Sequence, residues 1–256
     1  MPRMTGWGAA VLAATAAAAV PAKADKLIEN SAEYRFQLDF HVNDAALKNM
    51  LPAGWEASVA TQGPAKDCNL RVIFIDRVDV TKADNTPKTA DQLVYVAIPV
   101  KETATGNAGQ MILTGLVSAA SEAPGPFGNY VHAQDVKVSR AVAAQGGATM
   151  GEENWEFGSD NGERLEAHVK YERSAGRRNP ATEVKFYDPH KPEVYQIFKF
   201  DSGLDIMKNA SVPVKDRVTE FSYKVTGGPI GALFDGTEKV LSWDSFHWYN
   251  RGIYEP

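Results

Sequence analysis

Cysteine is almost missing. Cys68 is the only one in 256 residues, so no intramolecular disulfide can form and zinc sites built from several thiolates are excluded. Its neighbours Asp67 and Asn69 offer a thiolate no stabilisation, and Cys68 reads as a small buried hydrophobe. Histidine is sparse. His41, His132, His168, His190 and His247 form neither an HxH nor an HExxH pattern, and no metal is expected. There is no GxSxG elbow to carry a nucleophilic serine. There is also no phosphate loop or dinucleotide fingerprint, and no βαβ pattern that would position one, so no cofactor is expected. The formal net charge is −5, and without a basic cluster nucleic acid is an unsuitable partner. Beyond the N-terminus no apolar run approaches the ~20 residues needed to span a bilayer as a helix.

What is present begins with the N-terminus. Arg3 precedes an uncharged, alanine-rich stretch from Trp7 to Val20, and Ala22-Lys23-Ala24 places small residues where a signal peptidase reads them. This pattern predicts a secretory signal peptide over residues 1–24, cleaved after Ala24, and a periplasmic or secreted mature protein. Without Arg3 and Lys23, two of the 27 basic residues, the formal charge moves from −5 to −7. Residues 25–256 read as one β-rich domain, with no long linker, internal repeat or low-complexity segment.

Alternation of apolar and polar residues dominates that domain. In Tyr34–Val42 the set Tyr34, Phe36, Leu38 and Phe40 faces one way, and Arg35, Gln37, Asp39 and His41 the other, as in a half-buried strand. Asn43 or Asp44 can cap a short helix over AALKNML. Leu70–Val80, Leu93–Val100 and Met111–Val117 are further strands. Tyr130–Arg140 alternates as one strand, and Asn154–Gly158 with Leu165–Tyr171 forms a hairpin around the turn at Asp160-Asn161-Gly162. Ser174–Thr182 and Asp201–Ala210 read as loops. Val194–Asp201, Val218–Val225 and Val240–Trp248 complete about ten short strands, which must hide their edges by closing or stacking. The expected fold is mainly β: an antiparallel barrel, closed or partly closed, with few short helices.

The stretch Met111–Arg140 draws chemical attention because an apolar strand runs into Pro124-Gly125-Pro126 and then a segment carrying His132, Asp135 and Lys137. A lysine in an apolar cavity can lose its proton near neutral pH and form an imine with a carbonyl. Lys137 is the candidate by position, although an exposed strand lysine beside an acid fits the same residues. Glu153, next to Trp155, is a candidate general acid or base. Arg77 and Arg140 could clamp a carboxylate, which the planar guanidinium fork matches. Tyr130, His132 and Trp155 are the remaining candidate substrate contacts.

Several short motifs occur in an order that resembles the acetoacetate decarboxylase-like superfamily. They are LPAGW (Leu51–Trp55), VIFIDR (Val72–Arg77), GPFGNY (Gly125–Tyr130), and LFDG (Leu233–Gly236) ahead of a final aromatic strand. The resemblance implies a cone-like β barrel around a cavity for a small organic molecule. In that family's decarboxylases the reactive lysine adjoins a second lysine after a Gly/Pro segment. Here no such pair follows Pro126. The resemblance thus implies a lyase-type enzyme for a small oxo- or carboxylate-bearing compound, with its familiar amine chemistry in question. The alternative is a non-catalytic periplasmic binding protein for a small apolar or aromatic ligand. The sequence leaves oligomeric state open.

Overall fold

The computed structural model describes residues 24–119 and 128–256. β1 (Lys26–His41) leads into α1 (Asp44–Lys48), then β2 (Trp55–Ala57), β3 (Leu70–Lys82), β4 (Gln92–Glu102) and β5 (Ala108–Val117). The chain continues through β6 (Tyr130–His132), β7 (Asp135–Gln145), β8 (Ala148–Gly158), β9 (Arg164–Glu172) and β10 (Arg177–Tyr187). It finishes with β11 (Tyr195–Asn209), β12 (Lys215–Asp216), β13 (Val218–Thr226), a 3-10 turn at Pro229–Leu233, and β14 (Lys239–Glu255).

Seven strands close into a ring in the order β4-β3-β1-β14-β11-β10-β5, with β5 pairing back onto β4. Six of the seven junctions are antiparallel. The exception is β5 with β10, a short parallel contact at Gln110–Met111 and Phe186–Tyr187. β6 also runs parallel to β5, so the expected all-antiparallel sheet is mixed at this seam. A second, four-stranded sheet, β13-β9-β8-β7, covers one outer face of the ring.

The main apolar core lies between these layers. Phe36, Leu38 and Phe40 of β1 meet Trp155 and Phe157 of β8 and Leu165 and Val169 of β9 in one buried cluster. Phe74 links them, with its ring centroid 6.0 Å from both Phe36 and Trp155. Helix α1 starts where the Asn43 side chain accepts from the amides of Ala45 and Ala46, and it turns Leu47 into this core.

Since the outward face of β1 is the apolar one, its polar face points into the ring. Gln37 and Asp39 are buried although they alternate with phenylalanine and leucine. A half-buried strand facing water, as the alternation suggests, is therefore replaced by one buried on both faces. Two expected loops belong to strands. Ser174–Thr182 is polar because β10 begins there, at the mouth of the ring, and Asp201–Ala210 continues β11, with Ser202 on the cavity wall and Asp205 on the opposite face, held by Arg217 and Ser174. The expected hairpin is present as β8 and β9. Tyr130–Arg140 is not one strand. After His132 the chain leaves the ring at Ala133-Gln134 and re-enters structure as β7 of the outer sheet. The signal-peptide core and the Pro124-Gly125-Pro126 turn lie outside the described residues.

Candidate functional site

The ring encloses a cavity of about 370 Å3 to which all seven strands contribute. That lies within the ~300–1,000 Å3 range of small-molecule sites. Cross-strand register builds its polar end. Arg71 of β3 stands opposite Asp39 of β1, and Asp39 stands opposite Ser242 of β14, two residues before Asp244. Arg71 Nε is 3.3 Å from Asp39 Oδ1, which also accepts from Gln37 Nε2 at 2.9 Å. Ser242 Oγ donates to Asp244 Oδ1 at 2.7 Å. The exposed Arg177 and the loop residues Pro64 and Ala65 border this end.

Burial sets the electrostatics here. It pushes the Asp39 carboxyl up, against the pull of Arg71. Burial, and then the charge of Asp39, push Asp244 up to about 8. Burial and mutual repulsion thus both disfavour the doubly ionised pair. Arg71 stays charged: burial opposes it, and Asp39 together with Cys68 and Asp244 more than compensates. Beside them, burial and the Asp39 charge push the Cys68 thiol up to about 12, which makes it an inert neighbour.

Deeper in the ring, Arg35 donates from Nε to Glu33 at 2.6 Å, and Arg251 reaches the other Glu33 oxygen at 2.6 Å. Burial raises the Glu33 carboxyl, but Arg251 and Arg35 together bring it below its ordinary value. The Arg35 guanidinium lies 3.5 Å over the Tyr249 ring, a cation–π contact at the cavity floor. Tyr95, Phe186, Phe200 and Phe246 form apolar wall. The buried Tyr95 hydroxyl has no hydrogen-bond partner among the described residues. The lining holds three guanidiniums, of Arg35, Arg71 and Arg177, of which Arg35 is paired with Glu33, and the carboxyls of Asp39 and Asp244. No lysine lines the cavity among the described residues.

None of the seven residues singled out from sequence lines this cavity. Lys137 sits on β7 of the outer sheet with its side chain 76% exposed, 2.9 Å from Glu156. Glu156 raises its pKa, the opposite of what imine formation needs. Of the two readings of Lys137, the geometry is that of the exposed strand lysine beside an acid, because the chain changes sheets between His132 and Asp135. His132 is exposed at the end of β6. Arg77 is inside the ring but beyond the cavity, fully buried and engaged by Asp91 and by Glu29 at 2.7 Å, so it is not available as a clamp. Tyr130 packs on the apolar cluster of the ring interior.

Arg140 and Glu153 do come together, in a cleft between the ring and the outer sheet, with Trp155 buried in the core behind Glu153. Glu153 is 2% exposed. It accepts from Trp155 Nε1 at 3.1 Å, Tyr171 Oη at 2.7 Å and Ser245 Oγ at 3.2 Å. Arg140 Nε stands 3.8 Å from it, with the guanidinium 3.9 Å over the Tyr34 ring.

The cavity residues were missed because a polar face on an alternating strand looks the same whether it meets water or an enclosed site. One signal was available: Asp244 is an acid inside the aromatic strand segment Trp243–Tyr249.

No family model matches the chain, and no curated protein matches its sequence. Solved structures do resemble it. An acetoacetate decarboxylase-like enzyme from Sphingomonas wittichii RW1 superposes with a TM-score of 0.54 at 15% identity, covering 91% of this chain and 92% of that one. The enduracididine biosynthesis enzyme MppR, complexed with pyruvate, gives a TM-score of 0.51 at 15% identity, covering 92% and 91%. The chain therefore has an acetoacetate decarboxylase-like fold.

Proposed function

We propose that this acetoacetate decarboxylase-like ring binds a small oxo acid and acts on it as a lyase-type acid–base catalyst, without an imine. The observation that carries the reading is the Asp39–Asp244 pair with Arg71 at the end of a cavity that no described lysine lines. Arg71 would hold the substrate carboxylate. The charged member of the pair would take a proton from the carbon beside the carbonyl, while the protonated member, or the unpartnered Tyr95 hydroxyl, would donate to the carbonyl oxygen. The fold neighbour complexed with pyruvate, itself an oxo acid, supports the substrate class.

A second reading, a binding protein for the same ligand class, draws on the lack of a nucleophilic lysine in the lining and on the unreactive Cys68 thiol. One experiment separates them. Purified protein is incubated with a panel of 2- and 3-oxo acids in D2O, and exchange or loss of the protons beside the carbonyl is followed by NMR, with borohydride added in parallel. Exchange without a reduced adduct is expected, and Arg71→Ala should weaken saturation at least about tenfold, as for loss of a charged hydrogen bond. An oxo acid that saturates the protein unchanged supports binding alone. A borohydride-stable lysine adduct, or no interaction with any member, overturns the proposal.

A further inference from the structure

The cleft outside the ring has unused chemistry of its own. It measures about 330 Å3, with Tyr34, Arg140, Glu153, Tyr171, Arg173 and His247 among the residues around it. Glu153 at its base is already the acceptor for Trp155, Tyr171 and Ser245. Arg140 is held flat against Tyr34, and its buried Nε makes no hydrogen bond among the described residues. Arg173 has no acid within ion-pair reach among the described residues. Its guanidinium donates to His247 Nδ1 at 3.4 Å. That contact leaves the His247 proton on Nε2, which is buried without a partner among the described residues. Asp205 also faces His247, but Arg217 and Ser174 occupy it, at 3.2 Å and 2.8 Å. Two guanidiniums thus share a cleft with one hydrogen-bonded carboxylate, leaving a positive charge uncompensated.

We propose that this cleft is a second binding site, separate from the ring cavity, for a phosphate group, either the free ion or one carried by a small molecule. Arg140 comes from β7, Arg173 from the segment after β9, and His247 from β14. Guanidiniums on two elements, with His247 orienting Arg173, suit the several faces of a tetrahedral oxyanion, whereas a planar carboxylate needs only one guanidinium fork. Tyr34 fixes the plane of Arg140, so little side-chain freedom is lost when a ligand arrives.

Titration calorimetry of the full protein, purified without phosphate, tests this with inorganic phosphate, glycerol phosphate and acetate. Both phosphates should bind at least about tenfold more tightly than acetate, the ratio for one additional charge-assisted hydrogen bond. Tighter glycerol phosphate assigns the site to phosphorylated small molecules, and equal or tighter inorganic phosphate assigns it to the free ion. Either result bears the proposal out. Arg173→Ala should reduce phosphate affinity by about tenfold or more while leaving the circular-dichroism spectrum unchanged, since Arg173 neutralises no buried acid. No heat with phosphate, acetate binding as tightly, or an R173A protein that binds phosphate like the parent overturns it.

Discussion

Asp244 shows how one residue ties the cavity to the protein's pH response. Its carboxyl is held near 8 in the fold against an ordinary 3.8, so between these values the folded chain binds more protons than the unfolded one. Stability from this group is full below the ordinary value and is lost as pH rises through the folded one. Asp205 acts in the opposite direction. Burial raises it, but Arg217 and Ser174 bring it below its ordinary value, so its contribution is present at neutral pH and is lost in acid. Asp244→Asn should flatten the loss of stability between about pH 5 and about pH 8, as read by urea unfolding at both ends. The same loss in the variant as in the parent would show that the proton resides elsewhere. The residue could be picked from sequence as an acid among aromatics. Its partnership with Asp39 could not, because the two are brought together only by the pairing of the first long strand with the last.

Elements were more legible than sites. Strand positions, the short capped helix and the β8–β9 hairpin follow from alternation and turn residues, which are local properties. The two segments misread as loops are polar for a non-local reason: one begins at the mouth of the ring, and the acids of the other are paired by Arg178, Arg217 and Ser174 from neighbouring segments. β5 carries a further local signature. Gly115 lies opposite Tyr130 of β6, and a Cβ there would stand 2.6 Å from the tyrosine ring and 2.8 Å from the Val94 carbonyl oxygen. The glycine lets Tyr130 lie across β5 and close the inner cluster. Gly115→Ala should destabilise by about 2 kcal/mol, as for overpacking in a close-packed interior, measured by chemical denaturation. An unchanged midpoint would mean that the β5–β6 seam yields at no cost.

At the scale of the whole molecule, the two layers divide the work. The interlayer core carries most of the large apolar residues, which frees the ring interior for charge. We propose that the protein is exported, on the basis of its N-terminal leader pattern. Cleavage after Ala24 would leave Asp25 as the first residue, one before β1, with its carboxylate 2.7 Å from Lys199 of β11. Sequencing the N-terminus of protein released from a periplasmic extract should read Asp25-Lys26-Leu27. A chain retained in the cytosol with residues 1–24 intact would contradict export.

β1 is the strand on which these scales meet. Its outward residues, Phe36, Leu38 and Phe40, belong to the core, while its inward residues, Arg35, Gln37 and Asp39, line the cavity. The two sets alternate residue by residue along one chain. A protein engineer therefore has two independent alphabets on a single segment. Exchanging Gln37, which carries no role in the proton transfer, would retune which ligand enters, while the even-numbered positions keep the scaffold standing. A one-residue insertion would scramble both at once.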